Sequence, residues 1–269
     1  MAREARGANA DPHDRLILEQ FTRQAVPFNS ARALTDVAAL ESIVRACAPR
    51  PEDEALDIAC GGGIVACALA PHVRTVTGID MTPAMLDRAR STATEKGCGN
   101  TRWIRGLASP LPFADNAFAI VVTRYSFHHF LDPLSVLREM VRVCKPRGRI
   151  VVVDMYASEA PSQAAEWNRL ETLRDPSHVR VLPLSELSAL YPAAGLPRPA
   201  VSFYDIRDSV KNLLGRSFPN PGDEQKIWAL FSASVRDGRL GIETSVVDGE
   251  LRYAYPTAIL AASRPGASA

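Results

Sequence analysis

Hydrophobic and polar positions follow two different periods along the chain. Short apolar runs of strand length, such as residues 55–59 and 150–153, are separated by segments whose apolar residues recur every three or four positions. The first pattern is typical of buried strands, and the second of amphipathic helices. The two patterns alternate regularly between residues 51 and 156. This alternation predicts a parallel sheet with helices on both faces.

The segments that flank this region have a different pattern. Residues 14–48 have helical spacing with a break at Pro27, and residues 157–198 are helical and polar. Strand-like runs return at residues 201–205 and 252–262. A strand, an intervening segment and a returning strand predict an antiparallel hairpin at the edge of the sheet.

Composition and charge exclude several functional classes. The 31 basic and 30 acidic residues leave a net charge of +1, which provides no large basic field for nucleic acid. No apolar run approaches the ~18 residues of a membrane-spanning helix. The five cysteines are dispersed without a CxxC pair, which argues against a disulfide framework and a metal site. We therefore expect a cytoplasmic protein that acts on neither nucleic acid nor membranes.

The first predicted strand ends in a glycine-rich turn that contains Asp57, Gly61 and Gly63, and the second ends at Asp80. Glycines allow a tight turn and the close approach of a ligand, and a carboxylate can accept hydrogen bonds from two ribose hydroxyls. A nicotinamide dinucleotide and S-adenosylmethionine (SAM) both fit this spacing. Asp57 favours SAM, because its carboxylate would repel a pyrophosphate and attract an ammonium group. An NAD-dependent oxidoreductase remains the less favoured alternative.

Five ordered motifs resemble the class I SAM-dependent methyltransferases, and within them the methyltransferase type 11 group that includes ubiquinone/menaquinone C-methyltransferase-like enzymes. The motifs lie at residues 57–63, 78–86, 111–118, 124–130 and 137–149. The resemblance implies transfer of a methyl group from SAM to an oxygen, nitrogen or carbon atom of a small molecule, with S-adenosylhomocysteine (SAH) as the product. Specialised metabolism is the expected setting.

The resemblance also implies a set of cofactor-binding residues. They would contact the methionine end, the ribose and the adenine of SAM, or lie on the helix that covers it. The expected residues are Asp57, Ala59, Gly61, Gly63, Asp80, Met81, Leu107, Ala108, Arg124 and Phe21. Two positions depart from the family pattern. Ala59 replaces the first glycine, and Leu107 replaces an aspartate that accepts from the adenine amino group. The second departure leaves open a SAM-binding protein without methyl transfer, such as a cyclase or a binding module.

Three candidate catalytic residues follow predicted strands. His128 and His129 come after the fourth strand, and Asp154 ends the fifth. Histidine titrates near neutral pH and is the natural base for an acceptor that must lose a proton. By resemblance His129 is the favoured base, and Asp154 would orient a histidine or the acceptor. Each of these residues could instead have a packing or capping role.

For three tyrosines toward the end of the chain and for one further histidine, the sequence predicts structural roles. Tyr204, Tyr253 and Tyr255 lie on predicted strands, where tyrosines usually belong to the core. His178 follows a turn and is interpreted as a surface histidine.

Taken with the resemblance, these patterns predict a Rossmann-like α/β fold. We expect a seven-stranded, mostly parallel sheet with one antiparallel edge strand. A helical cap is expected over residues 1–50, and the methyltransferase domain over residues 51–269. A helical insertion over about residues 157–198 would follow the fifth strand.

Overall fold

A computed structural model describes residues 11–30 and 34–266. The expected cap over residues 1–50 therefore lies partly outside the described residues. The described strands are β1 (Glu54–Ile58), β2 (Thr75–Asp80), β3 (Thr101–Arg105), β4 (Phe118–Arg124), β5 (Cys144–Met155), β6 (Ala200–Ser209), β7 (Glu243–Val247) and β8 (Glu250–Ser263). The described α-helices are α1 (Pro12–Ser30), α2 (Val37–Cys47), α3 (Ile64–Leu69), α4 (Pro83–Glu95), α5 (Pro133–Val143), α6 (Pro161–Arg174), α7 (Leu184–Ala193), α8 (Val210–Gly215) and α9 (Asp223–Asp237).

The strands form one sheet in the order β3-β2-β1-β4-β5-β8-β6, with β7 paired to β8. Strands β1 to β5 are parallel to one another, and β8 runs antiparallel to β5, β6 and β7. The Rossmann-like α/β class and the single reversed strand are thus confirmed. Two details differ from expectation. The described chain has eight strands, and the reversed strand lies between β5 and β6 instead of at the edge.

The additional strand β7 belongs to a tight hairpin. Asp248 and Gly249 connect β7 to β8, and both have positive φ, at 52° and 76°. Two positive φ values define the type I′ turn, which an Asp-Gly pair favours. The Asp-Gly pair was therefore the sequence signal for the strand that the hydrophobic pattern missed. The break expected at Pro27 is also wrong, since α1 continues to Ser30.

Alternation along the strands creates a core on each face of the sheet. Leu56 and Ile58 point to one face, where they pack with Leu137 of α5. Ala55 points to the other face, where it packs with Val65 of α3. Because strand side chains alternate, Asp57 lies on the α3 side of the sheet.

A third core lies outside the parallel sheet. Trp167 of α6, Leu213 of α8 and Phe231 of α9 pack there against Tyr253 and Tyr255 of β8. The segment between β5 and β6 contains α6 and α7, which matches the expected helical insertion. This third core holds α6 and α8 beside the carboxyl ends of the parallel strands.

Candidate active site

The turn after β1 is built around left-handed backbone conformations. Ala59, Gly61 and Gly63 have φ values of 51°, 51° and 78°. Glycine adopts this region without steric cost, whereas a Cβ there approaches the following carbonyl. The backbone conformation at Ala59 is therefore less favourable than it would be with the glycine of the family pattern. At Gly63 space is also short, because an added Cβ would lie 2.7 Å from the ring of Trp103.

Asp57 is almost completely buried, with 1% of its surface exposed. Its Oδ2 accepts a 3.0 Å hydrogen bond from the backbone N–H of Ala66, near the start of α3. Burial raises the pKa of Asp57 to about 7, and Asp80 adds to the rise. A cationic partner would stabilise the ionised form of this buried carboxylate.

Asp80 ends β2 and holds the glycine turn in place. Its two carboxylate oxygens accept hydrogen bonds from Gly61 N–H at 2.9 Å and from Thr82 N–H at 2.8 Å. Burial raises the pKa of Asp80 above its ordinary value. Each carboxylate oxygen has a second lone pair, so Asp80 can still accept hydrogen bonds from ligand hydroxyls.

A cavity of about 880 Å³, open to solvent, lies at the carboxyl ends of β1, β2 and β4. The sheet order reverses between β1 and β4, which is the usual ligand position in open α/β sheets. The predicted site residues that line this cavity are Phe21, Asp57, Ala59, Gly61, Asp80, Met81, Ala108, Arg124 and His129.

Four predicted site residues do not line this cavity. Gly63 lies behind the turn against Trp103, and the Leu107 side chain is 42% exposed to solvent. His128 and Asp154 lie deeper and contact each other. Leu107 therefore supplies no acidic acceptor to the cavity, although the family pattern has an aspartate at this position.

Arg124, the last residue of β4, has unused hydrogen-bonding capacity. Its Nη1 donates to the carbonyl of Leu34 at 2.9 Å, and the guanidinium lies over the ring of Tyr125 at 4.5 Å. Its Nε and Nη2 are buried without a hydrogen-bond partner among the described residues. Buried donors without partners are costly, so these nitrogens favour a ligand acceptor in the cavity.

His129 is held as a neutral imidazole. Its Nδ1 lies 2.9 Å from the carbonyl of Ser177, which fixes the tautomer with the proton on Nδ1. Burial, together with the neighbouring His128, lowers the pKa of His129 to about 4. Within the described part of the chain, Nε2 has no hydrogen-bond partner. The Nε2 lone pair is therefore available to accept a proton.

His128 forms a buried pair with Asp154. Nδ1 of His128 lies 2.7 Å from Asp154 Oδ1, and the His128 backbone N–H donates to Oδ2 at 3.3 Å. The rings of His128 and His129 are 4.3 Å apart. The described residues contain no group of three His, Cys, Asp or Glu side chains placed to hold a metal ion. These contacts of the Asp154 carboxylate fix the orientation of the His128 ring.

Comparison with known proteins agrees with this geometry. Residues 56–152 match the family described as "Methyltransferase domain". The chain is 35% identical over 206 residues to the uncharacterized methyltransferase YcgJ of Bacillus subtilis, covering 77% of this chain and 81% of YcgJ. The crystal structure of YcgJ superposes with a TM-score of 0.77 at 30% identity, over 85% of this chain and 98% of that one. The chain belongs to the SAM-dependent methyltransferases.

Two other proteins have narrower similarity to this methyltransferase. Demethylmenaquinone methyltransferase of Listeria monocytogenes is 34% identical over 116 residues, which cover 42% of this chain and about half (49%) of the relative. Geranyl diphosphate C-methyltransferase of Streptomyces coelicolor, solved with SAH bound, has the same fold with a TM-score of 0.60 at 20% identity, over 84% of this chain and 78% of that one. The cofactor of this methyltransferase is SAM, and the oxidoreductase alternative is therefore wrong.

The methyltransferase has a second cavity of about 590 Å³ beside the first. Phe21, Tyr125 and His129 line both cavities. Tyr253 and Tyr255 also line the second cavity, so their assignment to the core alone was incomplete. The alternation of Tyr253 and Tyr255 near the start of β8 was the sequence signal that could have indicated a role in lining a cavity.

His178 is buried beside this cavity, so its interpretation as a surface histidine is wrong. Its ring lies 5.7 Å from that of His128, and its Nε2 lies 2.8 Å from Asn168 Oδ1. Burial lowers the pKa of His178 to about 2. It therefore stays neutral and contributes packing to the wall behind His128.

Helix α1 covers both cavities. His13 Nε2 lies 2.7 Å from the His129 carbonyl oxygen, and Gln24 Nε2 donates to Asp175 Oδ2 at 3.1 Å. The ring of Phe21 meets that of His129 edge-on at 5.1 Å. These contacts join the helix to the residues that surround the candidate base. In the described part of the chain, no helix is both long and apolar enough to cross a membrane.

Proposed function

We propose that this methyltransferase binds SAM in the first cavity, called here the cofactor cavity, and methylates a small organic acceptor of specialised metabolism. One observation carries the proposal: two carboxylates, Asp57 and Asp80, and the guanidinium-bearing Arg124 line one cavity at the ends of adjacent strands. SAM carries an ammonium, a carboxylate and two ribose hydroxyls. The cavity supplies matching groups for each of them.

Each part of the cofactor would be bound by different residues. Asp57 would pair with the ammonium and Arg124 with the carboxylate, since each is buried and gains from an opposite charge. Asp80 would accept hydrogen bonds from the ribose hydroxyls. Met81 and Ala108 would pack on the adenine. The Leu107 side chain would make no contact, so apolar packing and backbone groups would recognise the base.

The glycine turn and the first fifty residues have supporting roles. Ala59 and Gly61 present backbone close to the cofactor, and Gly63 allows α3 to approach Trp103. We propose that residues 1–50 act as a cap on the domain formed by residues 51–269. The position of Phe21 in both cavities supports this division.

His129 would act as the base. When bound, SAM supplies a methyl group on a sulfonium, a carbon that already has a good leaving group. Nε2 of His129 would take the proton that the acceptor loses when it is methylated, and SAH would be the uncharged product. The positive charge lost at sulfur is replaced by that on the imidazolium. His128, held by Asp154, would orient the acceptor beside His129.

Three features support a small-molecule acceptor. The net charge of +1 provides no field for a nucleic acid. A related protein is named for demethylmenaquinone, a small molecule. Both cavities are concave and lined mainly by apolar and aromatic side chains, as small-molecule sites usually are. A cytoplasmic location fits an enzyme of this kind.

Calorimetric titration with SAM, SAH and NAD tests the cofactor assignment. The parent should bind SAM and SAH but not NAD. Asp80→Ala should weaken SAH binding by at least about tenfold, because charge-assisted hydrogen bonds to two hydroxyls are lost. Asp80→Asn keeps one accepting oxygen as a second variant, and the exposed Asp87→Ala is the matched control. Unchanged affinity in Asp80→Ala would refute the assignment.

The same preparations test methyl transfer. The parent should convert methyl-labelled SAM to SAH with at least one member of a panel of phenols, amines and carbon acids. Tight binding of SAM without SAH formation across the panel would favour a SAM-binding protein that transfers no methyl. The absence of an acidic side chain at Leu107 is the observation that motivates this second candidate.

A further inference from the structure

We propose that the second cavity, called here the acceptor chamber, binds an uncharged acceptor with a flat apolar body and a hydroxyl group that reaches His129. The acceptor would be a phenol or an enol. This inference rests on the proposed function, because it assigns the acceptor to the same His129. It adds the location, shape and charge of the molecule that receives the methyl group.

The chamber adjoins the cofactor cavity at the candidate base. His129, Phe21 and Tyr125 line both spaces, so the boundary between them is formed by the residue that would take the proton. Tyr125 has a φ of 53°, a strained conformation that is typically retained at functional sites. An acceptor in the chamber would therefore have its reacting atom between His129 and the cofactor.

The walls of the chamber favour a flat apolar body. Aromatic rings are contributed by Phe21, Tyr125, Tyr253 and Tyr255, and aliphatic side chains by Ile206 and Leu213. The rings of Tyr253 and Tyr255 lie 4.3 Å apart at an angle of 47°. Aromatic side chains pack well against a planar ligand through stacked or edge-on contacts.

Both arginines of the chamber already have carboxylate partners. Arg174 Nη2 lies 2.6 Å from Glu171, and Arg216 Nη1 lies 2.6 Å from Asp208. The Tyr255 hydroxyl donates to Glu171 at 2.5 Å. An anionic acceptor would lose its hydration without gaining an unpaired cation, which is unfavourable in a buried site.

The remaining carboxylate is also satisfied. Asp175 accepts from Ser177 Oγ at 2.6 Å, Ser177 N–H at 2.9 Å and Gln24 Nε2 at 3.1 Å. Burial alone would raise the pKa of Asp175, but His129, Arg174 and these hydrogen bonds hold it well below its ordinary value. Arg174 also stands beside it, so an ammonium acceptor would meet a cation as well as an anion.

His129 offers the chamber a free hydrogen-bond acceptor. Nε2 of His129 has no partner among residues 11–30 and 34–266, and its tautomer leaves a lone pair there. A neutral amine can attack with its own lone pair, whereas a phenol or enol gains nucleophilicity by losing its proton. A base positioned beside the reacting atom therefore favours a hydroxyl acceptor.

Three probes with one flat body but different charge test the inference. They are 2-naphthol, 2-naphthoic acid and 2-naphthylmethylamine, titrated into protein saturated with SAH. We expect 2-naphthol to bind at least about tenfold more tightly than either charged probe, since a buried charge without a partner is costly. Tighter binding of the acid or the amine, or no binding of 2-naphthol to SAH-loaded protein, would overturn the assignment.

Filling variants locate the binding site. Leu213→Trp and Ile206→Trp add bulk in the acceptor chamber and do not line the cofactor cavity, whereas Val246→Trp adds the same ring at an exposed site. The first two should weaken 2-naphthol binding by about tenfold or more, with SAH affinity unchanged. Retained 2-naphthol affinity in both would show that the chamber is not the acceptor site. Failure of the parent to bind SAH would instead refute the proposed function.

Discussion

The geometry of Gly63, in the turn after β1, predicts how strongly a substitution there would destabilise the fold. The residue has a φ of 78°, and an added Cβ would lie 2.7 Å from Trp103 Cη2 and 3.1 Å from Ala89 Cβ. An L-residue in the left-handed region costs about 1–2 kcal/mol, and overpacking a close contact adds about 1–3 kcal/mol. The smaller entropy of the unfolded alanine chain returns about 0.4–1 kcal/mol. Gly63→Ala should therefore lower the free energy of unfolding by about 3 kcal/mol, the midpoint of a range of about 1–5 kcal/mol.

Gly61 provides the matched control. Its φ of 51° imposes a similar backbone cost, but an added Cβ would meet only the Met85 sulfur at 3.9 Å, an ordinary contact. Gly61→Ala should therefore lower the free energy of unfolding by no more than about 1.6 kcal/mol. Urea denaturation followed by circular dichroism measures both values. The difference between the two variants isolates the clash with Trp103.

A double-mutant cycle tests the stated cause. Trp103→Phe removes the outer indole atoms that the new Cβ would strike, so it should restore about 1 kcal/mol or more when combined with Gly63→Ala. Equal destabilisation by Gly61→Ala and Gly63→Ala would refute the argument. So would a cycle with no coupling between positions 63 and 103.

Three further predictions concern the residues of the site. The pKa of Asp57 is raised to about 7, so its contribution to stability is full below pH 3.8 and is lost as the pH rises through 7. Asp57→Asn should therefore be more stable than the parent in urea above pH 7 but bind SAH at least about tenfold more weakly. The pKa of His129 is lowered from 6.5 to about 4, so stability should fall as the pH falls across that window, by at most about 3 kcal/mol. His129→Gln should flatten that part of the urea-derived pH profile and lower kcat by about 10²–10⁴ with unchanged SAH affinity by calorimetry. Ala59→Gly relieves a φ of 51° and should raise the free energy of unfolding by up to about 1.6 kcal/mol in the same denaturation assay.

Much of the fold and the cofactor cavity could be predicted from the sequence by itself. The alternation of apolar runs and helical periods identified β1 to β5 with their helices, because burial on a sheet face or a helix face imposes its period on neighbouring residues. The glycine turn and Asp80 were recognisable for the same reason, since strand, turn and carboxylate lie close together in the chain. The Asp-Gly pair at Asp248 was a local signal too, although the weak hydrophobic alternation around it hid β7.

The tertiary structure alone decided the properties that depend on distant residues. Ser177, 48 positions from His129, sets the tautomer that leaves Nε2 free. The acceptor chamber joins Phe21 of α1 to Tyr125 and to Tyr255 of β8. The exposure of Leu107 to solvent likewise depends on how its loop packs. Side-chain contacts between remote segments follow from the packing of whole elements, and no local period in the sequence records them.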